Sequence, residues 1–405
     1  MSTSLVNCKF EEDSMTKVAL AYSGGLDSAV MLTLLKEKYG FMEVIPVLVD
    51  VGQGEEDIKT AKERAEIVGA KPVFFDAKKE FATEYIFRCI KANGSYQGYP
   101  VGTSMSRILI ASKVVDVALK EGAEAVAHGC TGKGNDQYRM EVAFRYYAPH
   151  LRIIAPVREL DLTRSVEEEM LRKQGIDPAK KVGKIGGDIN MWSHSIGSGQ
   201  MEDLSAQIES DYLWAVPIEK APDKPTILSI SYKNGAPTSV NGETDPVKMI
   251  FHLNEIGGKN GIGRIDILED GIMGLKSREI YEAPAATILL KTHSDLEHLA
   301  LTKEQLRLKH EIDRLWADMV YHGMWLHPLR RDMDAFIDST QRFMNGTVTM
   351  KLYKGNVQIT KRECEDSLFA PEIRSIKKAT FDQKEATGSV NMYTLQYRLF
   401  RSKKR

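Results

Sequence analysis

An apolar run, Val18, Ala19, Leu20, Ala21 and Tyr22, is followed at once by Ser23, Gly24, Gly25, Leu26, Asp27 and Ser28, and then by a helical apolar pattern from Ala29. Paired glycines at a strand-to-helix turn let the backbone close on a ligand, and the unpaired amides of the first helical turn point at it. Phosphate binding is the chemistry that suits this geometry. Ser23 and Ser28 add hydroxyl donors, and hydrogen bonds to a charged oxygen contribute roughly 1.5–3 kcal/mol each. Asp27 is an acid where an anion should dock. It suits either a Mg²⁺ ion brought by a polyphosphate or a helix-start cap. The turn lacks the Lys-Ser/Thr pair of a Walker loop and the Gly-x-Gly-x-x-Gly of a dinucleotide fold.

A second block, from His128 to Arg139, places Gly129, Gly132 and Gly134 among Thr131, Lys133, Asn135, Asp136 and Arg139 after an expected strand. Lys133 suits phosphate neutralisation, and Asn135 can donate to and accept from an amino acid's polar groups. His128 reads equally as a satisfied strand-end histidine. In a third block, 99–107, Thr103 or Ser104 reads as the cap of a long helix, with Arg107 one turn in as a bidentate partner for a carboxylate. A fourth, 263–281, reads as a strand followed by glycine and basic residues, equally consistent with a solvated turn.

The elements that must hold these blocks alternate in the first half. Strands are expected at 17–22, 44–50, 72–75, 124–128 and 152–156, and helices at 28–38, 55–68, 79–92, 104–121 and 163–173. That rhythm predicts a parallel sheet wrapped by helices, with ligands at the strand carboxyl ends, so the loops after Tyr22, Asp50 and His128 should share one rim. Beyond Lys181 the pattern becomes α+β. Hairpins are expected around Asn234-Gly235 and Gly355-Asn356, with helices at 285–299, 303–322 and 328–343. Met392, Leu395 and Leu399 have helical spacing and suit a docking arm onto a second copy. The expected domains are a lead-in at 1–15, a nucleotide-binding domain at 16–180, a substrate domain at 181–370 and a C-terminal arm at 371–405.

At 405 residues and 42% hydrophobic content, the chain has enough material for two cores. Lys plus Arg total 55 against 56 Asp plus Glu, which provides no global field for nucleic acid or an anionic membrane. The four cysteines lie far apart without metal or redox spacing, which fits a reduced cytoplasmic compartment. No signal peptide or membrane-spanning run is read.

The first loop resembles the pyrophosphate-binding loop of N-type ATP pyrophosphatases, which adenylate an oxygen and release pyrophosphate. Over roughly residues 17–397 the chain resembles the argininosuccinate synthase family. The carriers are 21–28 (AYSGGLDS), 49–53 (VDVGQ), 99–104 (YPVGTS), 128–137 (HGCTGKGNDQ), 263–266 (GRID), 276–285 (KSREIYEAPA) and 381–384 (FDQK).

This resemblance implies an adenine nucleotide alpha-hydrolase-like domain, an α+β synthetase domain and a C-terminal oligomerisation helix in a homotetramer. It implies condensation of citrulline with aspartate, driven by ATP with Mg²⁺. Ala21, Tyr22, Ser23, Gly24, Gly25, Leu26, Asp27, Ser28, Ala29 and Val49 would hold ATP, with Gly129, Gly132 and Gly134 closing over it. Thr131, Asn135, Asp136 and Arg107 would meet aspartate. Tyr99, Ser104, Asn135, Arg139, Ser195, Glu269 and Tyr281 would position citrulline, and Asp27 and Lys133 would assist the chemistry. The chain departs from the family pattern at Gly186, Gly197 and Ile108 and in the loop before Tyr99. Two other readings are an adenylating ligase for another ureido or amide acceptor and an ATP-binding regulator without turnover.

Overall fold

Val18, Ala19 and Leu20 are all fully buried, as a strand covered on both faces by helices requires. They lie in β1 (Lys17–Ala21), the centre of a parallel five-stranded sheet ordered β3-β2-β1-β4-β5. The other strands are β2 (Glu43–Asp50), β3 (Val73–Asp76), β4 (Ala125–Ala127) and β5 (Arg152–Ile154). The chain runs outward from β1 through β2 to β3, then crosses to β4 on the far side of β1. A crevice must open where the direction reverses, at the carboxyl ends of β1 and β4. The structure is a computed structural model, and it describes residues 16–178, 187–196, 201, 203–208, 212–375, 377, 380 and 382–403. The 1–15 lead-in, Gly186, Gly197 and Phe381 lie outside the described residues.

The expected helices are present as Leu26–Glu37, Glu55–Ile67, Gly102–Lys120 and Arg164–Lys173. The run expected at 79–92 contains a π-helical stretch, Phe81–Ile86, between short α segments. Another helix, Asp136–Tyr147, starts inside the 128–139 block, which reads from sequence only as a polar loop. Its first turn is polar because those side chains face a cavity, while Met140, Ala143 and Phe144 are buried. Gln137 ties the turn to the preceding loop by donating to the carbonyls of Gly132 (2.8 Å) and Gly134 (3.0 Å).

The cap assigned to Thr103 or Ser104 is not formed. The helix begins two residues earlier than expected, at Gly102, after Val101 at φ +47°, and no side chain caps it. Instead, the phenol oxygen of buried Tyr99 accepts from the Thr103 amide at 2.6 Å. A β-branched residue at positive φ is strained, and the packing around it has to hold it there.

Two antiparallel sheets follow. β8 (Thr226–Lys233), β9 (Ala236–Val240), β12 (Gly346–Tyr353) and β13 (Asn356–Cys364) form one sheet, ordered β13-β12-β8-β9. Leu228, Ile230 and Tyr232 of β8 alternate inward with Val348, Met350 and Leu352 of β12. The opposite face pairs Ser229 with Thr349 and Ser231 with Thr347. Asn234 and Gly235, both at positive φ, make the first hairpin turn; Lys354 and Gly355 make the second, one residue earlier than read from sequence.

The other sheet is ordered β10-β11-β7-β6, with β6 (Asp188–Ile189), β7 (His194–Ile196), β10 (Arg264–Asp270) and β11 (Lys276–Glu282). The basic run from Lys276 is therefore strand rather than solvated turn. Glu282 anchors it, accepting from the amides of Leu213, Trp214 and Ala215 (2.7–2.8 Å) and bonding His194 Nδ1 at 2.7 Å.

The helices Pro284–Ala300, Lys303–Tyr321 and Pro328–Gln341 meet around a fully buried lysine. Lys309 Nζ donates to both Asp313 oxygens (2.8 and 2.7 Å) and to the Lys91 carbonyl (2.9 Å), and lies 2.9 Å from Glu297. Asn93 donates to both carboxylates, so the network pins the turn that leads into Tyr96 and Tyr99. The chain divides into two units, Met1–Asp366 and Ser367–Arg405; the second carries helices Glu385–Tyr393 and Leu395–Ser402. Among the described residues no helix is long and apolar enough to cross a membrane. Removing one partner of a buried ionic cluster leaves uncompensated charge, at about 3–5 kcal/mol. Lys309→Met is expected to lower unfolding stability by that order in a denaturant titration, and Lys309→Met combined with Asp313→Leu to recover part of it.

Candidate active site

The crevice at the β1/β4 reversal opens into a cavity of about 730 Å³, a volume suited to small-molecule ligands. It is continuous from the turn after β1 to the β10–β11 hairpin and the end of helix Lys303–Tyr321.

At one end lies the Ser-Gly-Gly turn. Gly24 sits at φ +75°, and a Cβ there would run into the backbone of Ala61. The Gly24 carbonyl accepts from Arg64 Nη1 at 2.5 Å, which fixes the turn from behind. Ser23 Oγ lies 3.2 Å from Ser28 Oγ, and the Gly25 amide donates to Ser23 Oγ at 3.3 Å. Gly25 is the N-cap residue of helix Leu26–Glu37, and no side chain caps that helix. Its open amides, serine hydroxyls and helix dipole make a ready site for a phosphate. The neighbouring loop is in contact, since a Cβ on Gly129 would fall 3.1 Å from Asp27 Cβ.

Asp27, in the first turn of that helix, does not serve as its cap. Its carboxyl is hydrogen-bonded to Glu167 of helix Arg164–Lys173. Burial raises both, and Asp27 adds to the effect on Glu167, whose carboxyl is pushed up to about 8. Two acids thus face each other beside an anion site.

Towards the other end, Asp136 lies between two guanidinium groups, Arg107 Nε at 2.7 Å and Arg139 Nη1 at 2.8 Å. Burial opposes its ionisation, but the two arginines win and hold the carboxyl below its usual range. Arg107 also pairs with Asp188 of β6. Burial works against its charge, and the two carboxylates outweigh that, holding it well above the ordinary range. Arg139 donates through Nε to the Tyr321 carbonyl at 3.1 Å.

Glu269 is buried and accepts from two phenols, Tyr281 at 2.9 Å and Tyr321 at 2.6 Å. Burial raises its carboxyl despite them. Asn135 donates to the Tyr321 hydroxyl at 3.0 Å and accepts from the Ile272 amide at 2.9 Å. The rings are stacked, Tyr99 on Tyr281 at 4.1 Å and Tyr96 on Tyr321 at 3.8 Å. This end is a rigid polar pocket with aromatic walls and both signs of charge, suited to a zwitterion.

Of the residues singled out from sequence, Ala21, Tyr22, Ser23, Gly25, Leu26, Asp27, Ser28, Val49, Gly129, Thr131 and Gly134 line the first end and middle of the cavity. Tyr99, Arg107, Asn135, Asp136, Arg139, Ser195, Glu269 and Tyr281 line the rest. Gly24 lies behind the turn, and Ala29 and Ser104 are buried in their helices without lining the cavity. Gly132 and Lys133 are exposed on the turn outside it. His128 lines the wall and is also satisfied, accepting from the Cys130 amide at 3.1 Å.

Sequence reasoning missed Glu167, Asp188 and Tyr321. Glu167 sits in an acidic helical run that reads as a solvated face, and Tyr321 ends an amphipathic helix that reads as core. Gly24→Ala is expected to weaken ATP binding by on the order of tenfold or more in a calorimetric titration, because about 1.4 kcal/mol of strain in the loop already gives that factor.

Comparison with known proteins places these features in a family. Residues 17–177 match the model of the arginosuccinate synthase N-terminal HUP domain, and residues 186–400 match that of the arginosuccinate synthase C-terminal domain. An argininosuccinate synthase of Archaeoglobus fulgidus is 50% identical over 388 residues, covering 95% of this chain and 99% of that one. One of Methanocaldococcus jannaschii is 47% identical over 396 residues, covering 96% and 100%. One of Methanopyrus kandleri is 46% identical over 388 residues, covering 95% and 98%. With both domain models matched in order and relatives aligned end to end, the chain belongs to the argininosuccinate synthase family.

Proposed function

We infer that the chain condenses citrulline with aspartate at the expense of ATP, releasing argininosuccinate, AMP and pyrophosphate. The observation that carries this reading is one continuous cavity with an anion-binding helix start at one end and a zwitterion pocket at the other. A ureido oxygen is a poor leaving group. Its attack on the α-phosphorus of ATP expels pyrophosphate and makes a citrullyl-adenylate, from which the aspartate amine displaces AMP. Neither step needs an enzyme nucleophile, so catalysis rests on positioning and charge stabilisation.

We assign ATP to the 21–29 turn, Val49 and the loop at Gly129, Gly132 and Gly134. Citrulline is assigned to Tyr99, Asn135, Arg139, Ser195, Glu269 and Tyr281, with Ser104 in the helix behind them. The Glu269 carboxylate suits an ammonium, and the arginine side of the pocket suits a carboxylate. Aspartate is assigned to Thr131, Asn135 and Asp136, with Arg107 on its carboxylate side. Lys133, exposed on a glycine-flanked turn, is assigned to the leaving pyrophosphate. Mg²⁺ is assigned to Asp27, where it would offset charge on the polyphosphate.

We also propose that residues 371–405 are an arm onto second copies in a homotetramer, supported by exposed Leu395, Leu399 and Phe400 at helical spacing. Paired Leu399→Asp and Phe400→Asp substitutions are expected to reduce the mass measured by light scattering on a sizing column; an unchanged mass would refute the arm's role.

AMP and pyrophosphate formation from Mg-ATP, with citrulline and aspartate supplied singly and together, tests the reaction. The expected outcome is pyrophosphate release that needs citrulline and argininosuccinate that needs both, identified by mass spectrometry. Release only with a different ureido or amide acceptor would replace citrulline. Tight ATP binding without release would replace the enzyme by a regulator.

A further inference from the structure

Glu167 combines three properties that a structural carboxylate does not need together. It is only 4% exposed, it belongs to the cavity wall, and its Oε1 has no hydrogen-bond partner among the described residues. A buried polar oxygen without a partner is costly, so its retention calls for a ligand that completes it. Its carboxyl partner among the described residues is Asp27, reached across from helix Arg164–Lys173. Arg164, whose charge acts on Glu167, pairs with Glu168 at 3.5 Å. Asp188, the third acid acting on Asp27, is already paired with Arg107.

Two carboxyl groups therefore flank the helix start that receives a polyphosphate. Any negative charge the pair carries repels it. Magnesium resolves the conflict, because it binds oxygen only, keeps several waters, and is held by one or two carboxylates together with substrate phosphates.

We propose that Glu167 is the second carboxylate of the magnesium site, facing the ion of Mg-ATP from helix Arg164–Lys173 while Asp27 faces it from the phosphate turn. This rests on the assignment of Mg²⁺ to Asp27. The pair couples metal to nucleotide: either carboxylate alone leaves the ion weakly held, and without the ion both disfavour ATP.

The test is ATP binding to the full-length protein by calorimetry, without citrulline or aspartate so that no turnover occurs, in Mg²⁺ and in EDTA. The readout is the ratio of the two ATP affinities. Wild type is expected to bind ATP more tightly with Mg²⁺. Glu167→Gln is expected to lose at least tenfold of that ratio, with metal-free ATP affinity equal to or above wild type. A merely structural glutamate would lower both affinities together and leave the ratio intact, and that result overturns the proposal. If Glu167→Gln does not fold, Glu167→Met, which fills the same buried space without a polar demand, carries the same expectations.

Asp27→Asn separates the two readings. Loss of the ratio in Asp27→Asn with a wild-type ratio in Glu167→Gln rejects Glu167 and keeps the Asp27 assignment. A wild-type protein with no Mg²⁺ effect on ATP affinity rejects both.

Discussion

The clamp on Asp136 organises the substrate end of the cavity. A half-buried carboxylate between one buried and one half-buried guanidinium group is stable only if every charge is met, and here one contact serves several elements. Arg107 comes from helix Gly102–Lys120, Asp136 and Arg139 open helix Asp136–Tyr147, and Arg107 continues to Asp188 at the edge of the antiparallel sheet. Arg139 then holds the carbonyl of Tyr321, whose hydroxyl reaches Glu269 and Asn135. The pocket's charges are thus set by contacts that also join the parallel sheet's helices to the strands beyond.

Catalysis by positioning needs such rigidity. Glu269 cannot swing, because two phenols hold its two oxygens and those phenols belong to stacked ring pairs. Behind the rings, the buried Lys309 cluster fixes the turn that carries Tyr96 and Tyr99. Buried polar networks that are fully satisfied specify one arrangement, and the site draws its order from them.

The phosphate end works by a different economy. Its donors are backbone amides and serine hydroxyls, which cost little to hold in place once the turn is seated on Ala61 and Arg64. Beside it stand the carboxyl groups of Asp27 and Glu167, which set the charge next to the helix start.

The parallel sheet, its helices and the phosphate turn could be read from sequence because their signals are local. Strand and helix periodicity, paired glycines and the Asn-Gly hairpin turn act over a few residues and depend on steric rules that the chain carries everywhere. The helix at Asp136–Tyr147 was hidden for the opposite reason: its first turn spends Asp136 and Arg139 on partners far along the chain, so it lacks a soluble helix's amphipathic start. The expected Thr103 or Ser104 cap failed similarly, displaced by the oxygen of Tyr99. Glu167 and Tyr321 carry no local mark at all, and only the packing of their helices makes one a partner of Asp27 and the other a donor to Glu269. By itself the sequence determined where an anion can bind, through backbone geometry. Which side chains line the cavity beside that turn was decided by tertiary structure, because burial and pairing of charge are properties of neighbours that the chain brings together only when folded.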